Sequence, residues 1–141
     1  MQDQLEENKA LVRRYWEEVW NKVNLELIDE IYAPGMVDKR RSLKSFIPCW
    51  LKGFPDSRIA IEALIAENDL VVTRYSCQGA VHTGIWEFPL QGLSMAVPPT
   101  GKLIHDHGIT IHRIADGKIV EDIVEWNTLE VAQQLGVVPT S

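Results

Sequence analysis

The sequence predicts an α+β fold in which N-terminal helices cover one face of a curved, mostly antiparallel sheet. Up to about residue 52, apolar residues recur every three to four positions, which is typical of amphipathic helices. From Ser57 onward the spacing changes to alternation, and Ile, Val, Thr and aromatic residues become frequent, which is typical of strands. With 141 residues and 45% hydrophobic content, the chain fits a single domain, residues 1–141, with one substantial core.

The N-terminal part predicts three helices. The first spans residues 4–22, where one face carries Leu11, Val12, Tyr15, Trp16, Val19 and Trp20. A short second helix is expected over 25–32, ended by the turn Ala33-Pro34-Gly35. A third is expected over 42–52, and Pro48 inside it predicts a kink or a shortened helix.

The remainder predicts four long strands and a final helix. The strands are expected over 58–67, 70–79, 102–114 and 118–126. Ala115-Asp116-Gly117 suits a type I turn with Gly117 in the left-handed conformation. The stretch 84–101 is rich in proline and glycine, carries Trp86, and is expected to form a long apolar loop or lid. The last helix, 128–135, should end at Gly136.

Charge and composition exclude several functional classes. The formal net charge of -6 argues against binding to nucleic acid or to an anionic membrane surface. No apolar run approaches the roughly 20 residues that span a bilayer. The polar start, Met1 to Lys9, does not resemble a signal peptide, so we expect a cytoplasmic protein. Cys49 and Cys77 lack metal-ligand spacing and are expected to be reduced thiols.

The hairpin formed by residues 102–126 concentrates polar chemistry, because three of the four histidines fall between positions 105 and 127. A type I turn with a bulge would pair Ile114 with Lys118 and His107 with Glu125. Side chains alternate between faces. One face then carries His105, His107, Ile109, Ile111, Ile123, Glu125 and Asn127, and the other carries Asp106, Thr110, His112, Asp122, Val124 and Trp126.

Four segments carry a family resemblance: KALVRRYWEEVWNKVNLELIDEIYAP, FPDSRIAIEALIAENDLVVTRYSCQG, VPPTGK and IHRIADGKIVEDIVEWNTLEVAQQLGVVP. They resemble the SnoaL-like polyketide cyclase family, a branch of the NTF2-like cone-shaped barrels. The resemblance covers nearly the whole chain. It implies a conical pocket that is apolar at depth, chemistry without a cofactor, and a homodimer packed sheet to sheet.

Departures from the family bear on the reaction. The resemblance implies that the face carrying Asn127 lines the cone. Members with cyclase chemistry have an aspartate base where this chain has Asn127, and a His-Trp pair where it has Asp122 and Ile123. An amide cannot accept a proton as a carboxylate does, so that base is not carried over. The motif MVDKRR keeps Asp38, while Lys39 replaces the family's histidine.

The catalytic candidates are Glu125, His107 and Asp38. A carboxylate beside an imidazole fixes its tautomer and stabilises its protonated form, so His107 and Glu125 form a plausible proton-transfer pair. Asp38 is a candidate for the missing base or, alternatively, a loop acid paired with Lys39 or Arg41. Asn127 would orient the substrate. The alternative is that His107 and Glu125 are a solvated cross-strand pair.

Candidate substrate-binding residues are Asn127, Arg40, Tyr15, Trp16, Trp50, His105, Ile123 and Trp86. Arg40 would bind a substrate carbonyl or carboxylate, or would be a solvated charge. The aromatic residues of the helices would line the ligand or pack in the core. His105 and His107 supply two imidazoles to one face without a third ligand, so no metal site is expected.

The predicted function is that of a cofactor-independent isomerase or cyclase in secondary metabolism. It would move protons on a bulky, apolar polyketide or terpenoid intermediate. A different class is a non-catalytic protein that binds a small hydrophobic ligand. A hydrolase or dehydratase on the same scaffold is a third alternative. Epoxide hydrolysis would need an Asp-Arg-Asp set, of which Asp38 and Arg40 are present.

Overall fold

The computed structural model describes residues 2–90 and 93–140. Its helical elements are α1 (Gln2–Arg14), a π-helical segment (Tyr15–Trp20), a 3₁₀ turn (Leu25–Leu27), α2 (Ile28–Ile31) and α3 (Val37–Gly53). The strands are β1 (Arg58–Glu67), β2 (Leu70–Gln78), β3 (Trp86–Leu90), β4 (Leu93–Val97), β5 (Asp106–Ala115) and β6 (Lys118–Trp126), followed by α4 (Thr128–Gln134). Within the described residues, β1, β2, β5 and β6 form an antiparallel sheet in that order, here called the main sheet. The α+β fold class is confirmed.

Two helix details differ from the prediction. The first helix changes at Tyr15 from α-helical to π-helical geometry. The third begins at Val37, five residues earlier than expected, and continues through Pro48. The burial of Leu43, Ile47 and Trp50 explains why the helix persists, because tertiary packing of one face outweighs the hydrogen bond that proline removes.

The segment predicted as a loop or lid, 84–101, is instead largely a hairpin in which β3 pairs with β4. Trp86 is fully buried and packs against Trp50 and Phe54, with ring centroids 5.1 and 5.4 Å apart. Gly53 permits this contact, since a Cβ there would lie 2.5 Å from the Trp86 Cβ. Proline and glycine suggested a loop, but a two-stranded hairpin consists of edge strands, where proline is tolerated.

The turn between β5 and β6 also differs. Asp116 and Gly117 both have positive φ, 51° and 73°, so they form a two-residue type I′ turn and Ala115 pairs with Lys118. A bulge at Val120 adds a second one-residue shift. Because the two shifts add, the pairing slides by two residues, and Ile109 lies opposite Glu125. Because the shift is an even number of residues, the same side chains share each face as predicted.

The core lies between the helices and the concave face of the main sheet. One cluster centres on Val12, Ile28, Ile31 and Ile47, and another on the ring group of Trp50, Phe54 and Trp86. Cys49 and Cys77 are free thiols. No helix within residues 2–90 and 93–140 has the length and apolarity needed to cross a membrane.

Candidate active site

A cavity of about 200 Å³ opens between the helices and the concave face of the main sheet. Much of its wall is aromatic: Trp16, Trp20, Phe46, Trp50, Tyr75 and Trp126. Its polar lining includes Tyr15, Lys39, Ser42, Asp106, Thr110 and Asp122. An apolar wall with a few convergent polar groups is typical of small-molecule sites.

The hairpin of β5 and β6 borders this cavity with the face opposite to the one predicted. Asp106, Thr110, Asp122, Val124 and Trp126 point inward. The prediction was wrong on this point because alternation sorts side chains into two sets without saying which set the helices cover.

The three predicted catalytic residues therefore lie outside the cavity. Glu125 is exposed on the outer face of the main sheet. His107 is 34% exposed, and its Nε2 lies 3.8 Å from an Oε2 of Glu130 rather than beside Glu125. The Asp38 side chain is 99% exposed in the first turn of α3 and pairs with Arg41.

Several predicted binding residues also lie elsewhere. The Asn127 side chain accepts a hydrogen bond from the His107 backbone N–H and donates one to the His105 carbonyl, so it ties the end of β6 to β5. The Arg40 guanidinium donates to the Ala33 carbonyl and pairs with Asp29. Because Arg40 and Asp38 both lie outside the cavity, they do not provide the Asp-Arg-Asp set of an epoxide hydrolase.

The remaining predicted binding residues divide into two groups. His105 and Ile123 are exposed, and Trp86 is part of the buried ring group. Tyr15, Trp16 and Trp50 do line the cavity, and their role in substrate binding stays a prediction.

Asp122, which was not predicted as a site residue, is the centre of the cavity's polar groups. Its side chain is 1% exposed. Oδ2 accepts a short hydrogen bond from the Tyr32 hydroxyl and lies 3.4 Å from Nε2 of His112, its cross-strand neighbour. Oδ1 lies 3.7 Å from the Lys39 ammonium. Burial raises the pKa of Asp122, but His112, Lys39 and Tyr32 together bring it below its usual range.

Two phenols adjoin this carboxylate. The Tyr15 hydroxyl accepts a hydrogen bond of 2.9 Å from Nε1 of Trp20, five residues further along the π-helical segment. Burial, reinforced by the Asp122 charge, raises the pKa of Tyr15 well above its ordinary value. Burial also raises the pKa of Tyr32, with Tyr15 and Asp122 adding to the effect. Both phenols therefore stay protonated at neutral pH and serve as hydrogen-bond donors.

A second carboxyl, Asp106, lies further along the inward-facing row of β5. It is 7% exposed, and burial raises its pKa to about 6. Asp106 Oδ1 and Thr110 Oγ1 have no hydrogen-bond partner among the residues the structure describes. Gly108, between them, leaves room for the Tyr75 ring, because a Cβ there would lie 2.7 Å from the Tyr75 hydroxyl.

Over the described ranges 2–90 and 93–140, no three His, Cys, Asp or Glu side chains come together in a way that could hold a metal ion.

The sequence and the structure of this chain both resemble those of known proteins. Residues 10–135 match the SnoaL-like polyketide cyclase family. The structure of AclR, a putative hydroxylase from Streptomyces galilaeus, is 27% identical, with a TM-score of 0.74, and the alignment covers 97% of this chain and 85% of that one. Among curated proteins, no significant match was found.

Two further structures support the fold. A putative SnoaL-like polyketide cyclase from Jannaschia sp. CCS1 is 22% identical, with a TM-score of 0.71 and coverage of 95% of this chain and 94% of that one. IdmH, a putative polyketide cyclase from Streptomyces antibioticus, is also 22% identical, with a TM-score of 0.67 and coverage of 92% and 98%. The chain belongs to the SnoaL-like polyketide cyclase family and has its NTF2-like fold.

Proposed function

We propose that the protein is a cofactor-independent isomerase or cyclase of secondary metabolism. It transfers protons on a bulky, mostly apolar intermediate of polyketide or terpenoid type. The observation that carries this proposal is the buried Asp122 carboxylate, held in an aromatic cavity by His112, Lys39 and Tyr32. Buried titratable groups with perturbed pKa values and specific charge partners are typical of functional sites.

Asp122 serves as the base. It is ionised at neutral pH because its pKa is low, and its Oδ1 has no hydrogen-bond partner within the described part of the chain. A carboxylate with a low pKa is a weak base, so the substrate C–H must itself be acidic, as it is between two carbonyl groups. The C–H bond breaks, an O–H bond forms on Asp122, and the electron pair enters an enolate.

Lys39 stabilises the enolate. Its ammonium lines the cavity beside Asp122, where it can donate to the developing oxyanion. In an isomerisation, Asp122 returns the proton to a different carbon. In a ring closure, the enolate carbon attacks a second carbonyl, a C–C bond forms, and the new alkoxide takes the proton.

The test follows the fate of a metabolite extract incubated with the protein. Wild type should convert one compound into a product that is isomeric with it, or that differs by loss of water after ring closure. Asp122→Asn should slow this by roughly 10²–10⁴-fold, the usual contribution of a positioned acid–base group. Glu125→Gln, on the outer face of the same strand, is the matched control and should act like wild type. Turnover by Asp122→Asn at the wild-type rate would contradict the proposal, provided that near-ultraviolet circular dichroism is unchanged.

A non-catalytic carrier of a small hydrophobic ligand is the second candidate. It is favoured by the set of partners around Asp122, since Lys39, His112 and Tyr32 also stabilise a buried charge that has no catalytic role. A carrier would release the bound compound unaltered from wild type and from Asp122→Asn.

We also propose that the protein is a homodimer formed through the outer face of the main sheet. Ile65, Ile109 and Ile123 are 61%, 44% and 47% exposed there, and an exposed apolar patch of this kind favours association. The molar mass from light scattering should be twice that of one chain and should halve in Ile109→Asp.

A further inference from the structure

Three side chains lead by hydrogen bonds from the cavity wall to Asp122. The first two, Trp20 and Tyr15, line the cavity, and the indole N–H donates to the phenol oxygen at 2.9 Å. The third, Tyr32, is fully buried at the end of α2, and its hydroxyl donates to Oδ2 of Asp122. The two phenol rings meet edge to face with centroids 5.8 Å apart, and their hydroxyls hydrogen-bond to each other.

The chemistry of the donors gives this row of bonds one direction. An indole N–H can only donate, so the Tyr15 oxygen must be the acceptor at the first bond. A phenol has a single proton, and Tyr32 gives its proton to Asp122. Tyr15 must therefore be the donor between the two phenols, and all three protons point towards the carboxylate. Donors aligned in this way polarise and strengthen one another.

The π-helical segment makes the first bond possible. Trp20 follows Tyr15 by five residues, and the i→i+5 geometry is evident from the Asn21 N–H, which donates to the Trp16 carbonyl at 3.2 Å. A π-helical turn brings residues five apart side by side, whereas neighbours on an α-helix are three or four residues apart. The local change of helix type thus connects the cavity wall to the buried phenols.

The last bond distinguishes the two oxygens of Asp122. Oδ2 accepts the short hydrogen bond from Tyr32. Oδ1 lies 3.7 Å from the Lys39 ammonium and has no hydrogen-bond partner in the described part of the chain. A hydrogen bond to a carboxylate stabilises its ionised form. While Tyr32 donates to Oδ2, a proton that reaches Asp122 must bind Oδ1.

We propose that these three side chains form a directed chain of hydrogen-bond donors that ends on Oδ2 of Asp122. Tyr32 is then a positioning residue, because it occupies Oδ2 and leaves Oδ1 as the oxygen that takes the proton. The use of that proton in catalysis rests on the proposed function. The donor chain itself is tested without a substrate.

The test follows the protonation of Asp122 by NMR in protein labelled with ¹³C at the aspartate carboxyl groups. The Asp122 resonance is identified by its disappearance in Asp122→Asn. Tyr32→Phe removes one hydroxyl and keeps the ring, and the proton affinity of Asp122 should rise about tenfold. Trp20→Phe removes only the first donor, so the rise should be about twofold.

Trp16→Phe is the matched control. It removes an indole N–H from the same cavity wall, but this N–H donates to Thr73 rather than to the chain, so the titration of Asp122 should stay as in wild type. Tyr32→Phe that titrates like wild type would overturn the positioning role. Equal effects of Trp20→Phe and Trp16→Phe would overturn the directed chain, and this comparison decides even if Tyr32→Phe does not fold.

Turnover of the compound found in the extract separates this inference from the proposed function. In Tyr32→Phe the rate should fall at acid pH and recover as the pH rises, because Asp122 ionises at higher pH than in wild type. The NMR shifts without this change in the pH–rate profile would support the donor chain and contradict Asp122 as the base.

Discussion

Each face of the hairpin formed by β5 and β6 departs in part from the pattern of an ordinary sheet. The inward face carries Asp106, Thr110, His112 and Asp122, whereas the outward face carries exposed isoleucines such as Ile109. Polar groups are costly to bury and apolar groups are usually buried, so each face departs from the default. This contrast supports our proposal of a reaction site on the inward face and an interface on the outward face.

The two inward carboxyls, Asp122 and Asp106, make a second contrast. Asp122 has His112, Lys39 and Tyr32 around it and a lowered pKa, whereas no charge in the described part of the chain offsets the burial of Asp106, whose pKa is raised. Environments that push the pKa values of two carboxyls apart are typical of groups with different roles.

The largest expected effect is on stability and tests the contrast between the faces. Asp122→Ala should lower the free energy of unfolding by roughly 3–5 kcal/mol, because it leaves Lys39 and His112 without their buried partner. Glu125→Ala, on the exposed face, should change it by less than about 0.5 kcal/mol. Urea denaturation of both variants checks this, and equal losses would break the comparison.

The contrast between the carboxyls predicts opposite pH dependences. The folded protein binds the Asp106 proton more tightly than the unfolded chain, so this group's contribution to stability is complete below about pH 3.8 and is lost as the pH rises to about 6. The shift corresponds to about 3 kcal/mol. Urea denaturation at pH 4 and pH 8 gives the unfolding free energy of Asp106→Asn minus that of wild type. This difference should be more favourable to the variant at pH 8 than at pH 4 by about the same amount.

The contribution of Asp122 to the free energy of unfolding should change with pH in the opposite direction. Its folded-state pKa is lowered, so its contribution is present above the unfolded pKa and is lost as the pH falls through the folded value. A wild-type stability that is unchanged by Asp106→Asn at both pH values would contradict the difference between the two carboxyls.

The two histidines on opposite faces of β5 sharpen the assignment of the site. His112→Gln should lower turnover by roughly 100-fold, since the imidazole lies against the proposed base. His107→Gln should leave turnover within about twofold, because its side chain lies on the outer face near Glu130. Initial rates on the substrate found in the extract distinguish the two, and a larger loss in His107→Gln would move the site to the outer face.

The smallest expected effect concerns the packing of β5 at Gly108. Gly108→Ala would bring a Cβ to 2.7 Å from the Tyr75 hydroxyl and from the Glu125 carbonyl, so we expect a loss of about 1–3 kcal/mol. Thermal melting compared with Gly35→Ala, where a Cβ meets nothing within 4 Å, checks this. Equal melting temperatures would show that the strands move apart freely.

Much of the fold was predictable because it depends on local periodicity. The four strands of the main sheet and the last helix follow directly from alternation, turn residues and Gly136. The pairing of β3 with β4 was not predictable, since proline and glycine in that segment hide the alternation. The register error arose from two features that the sequence signals weakly, a type I′ turn at Asp116 and a bulge at Val120.

Less of the candidate site was predictable. Tyr15, Trp16 and Trp50 were correctly expected to face the interior, because apolar helix faces must cover the sheet. Asp122 and His112 were assigned to the wrong side, because the family resemblance was taken to place the face carrying Asn127 inside the cone. A usable signal was present: the family resemblance aligns Asp122 with the histidine of the family's His-Trp pair, a polar position of the last strand.

The π-helical segment Tyr15–Trp20 has a consequence for how this cavity can change in evolution. A π-helical turn is an α-helix that holds one residue too many, so deletion of a single residue there converts it back to an α-helix. Removal of one residue, such as the exposed Glu17, would leave Trp20 in place while turning Tyr15 and Trp16 by about 100° around the helix axis. A one-codon deletion is therefore a route to a new ligand shape that leaves every strand of the main sheet unaltered.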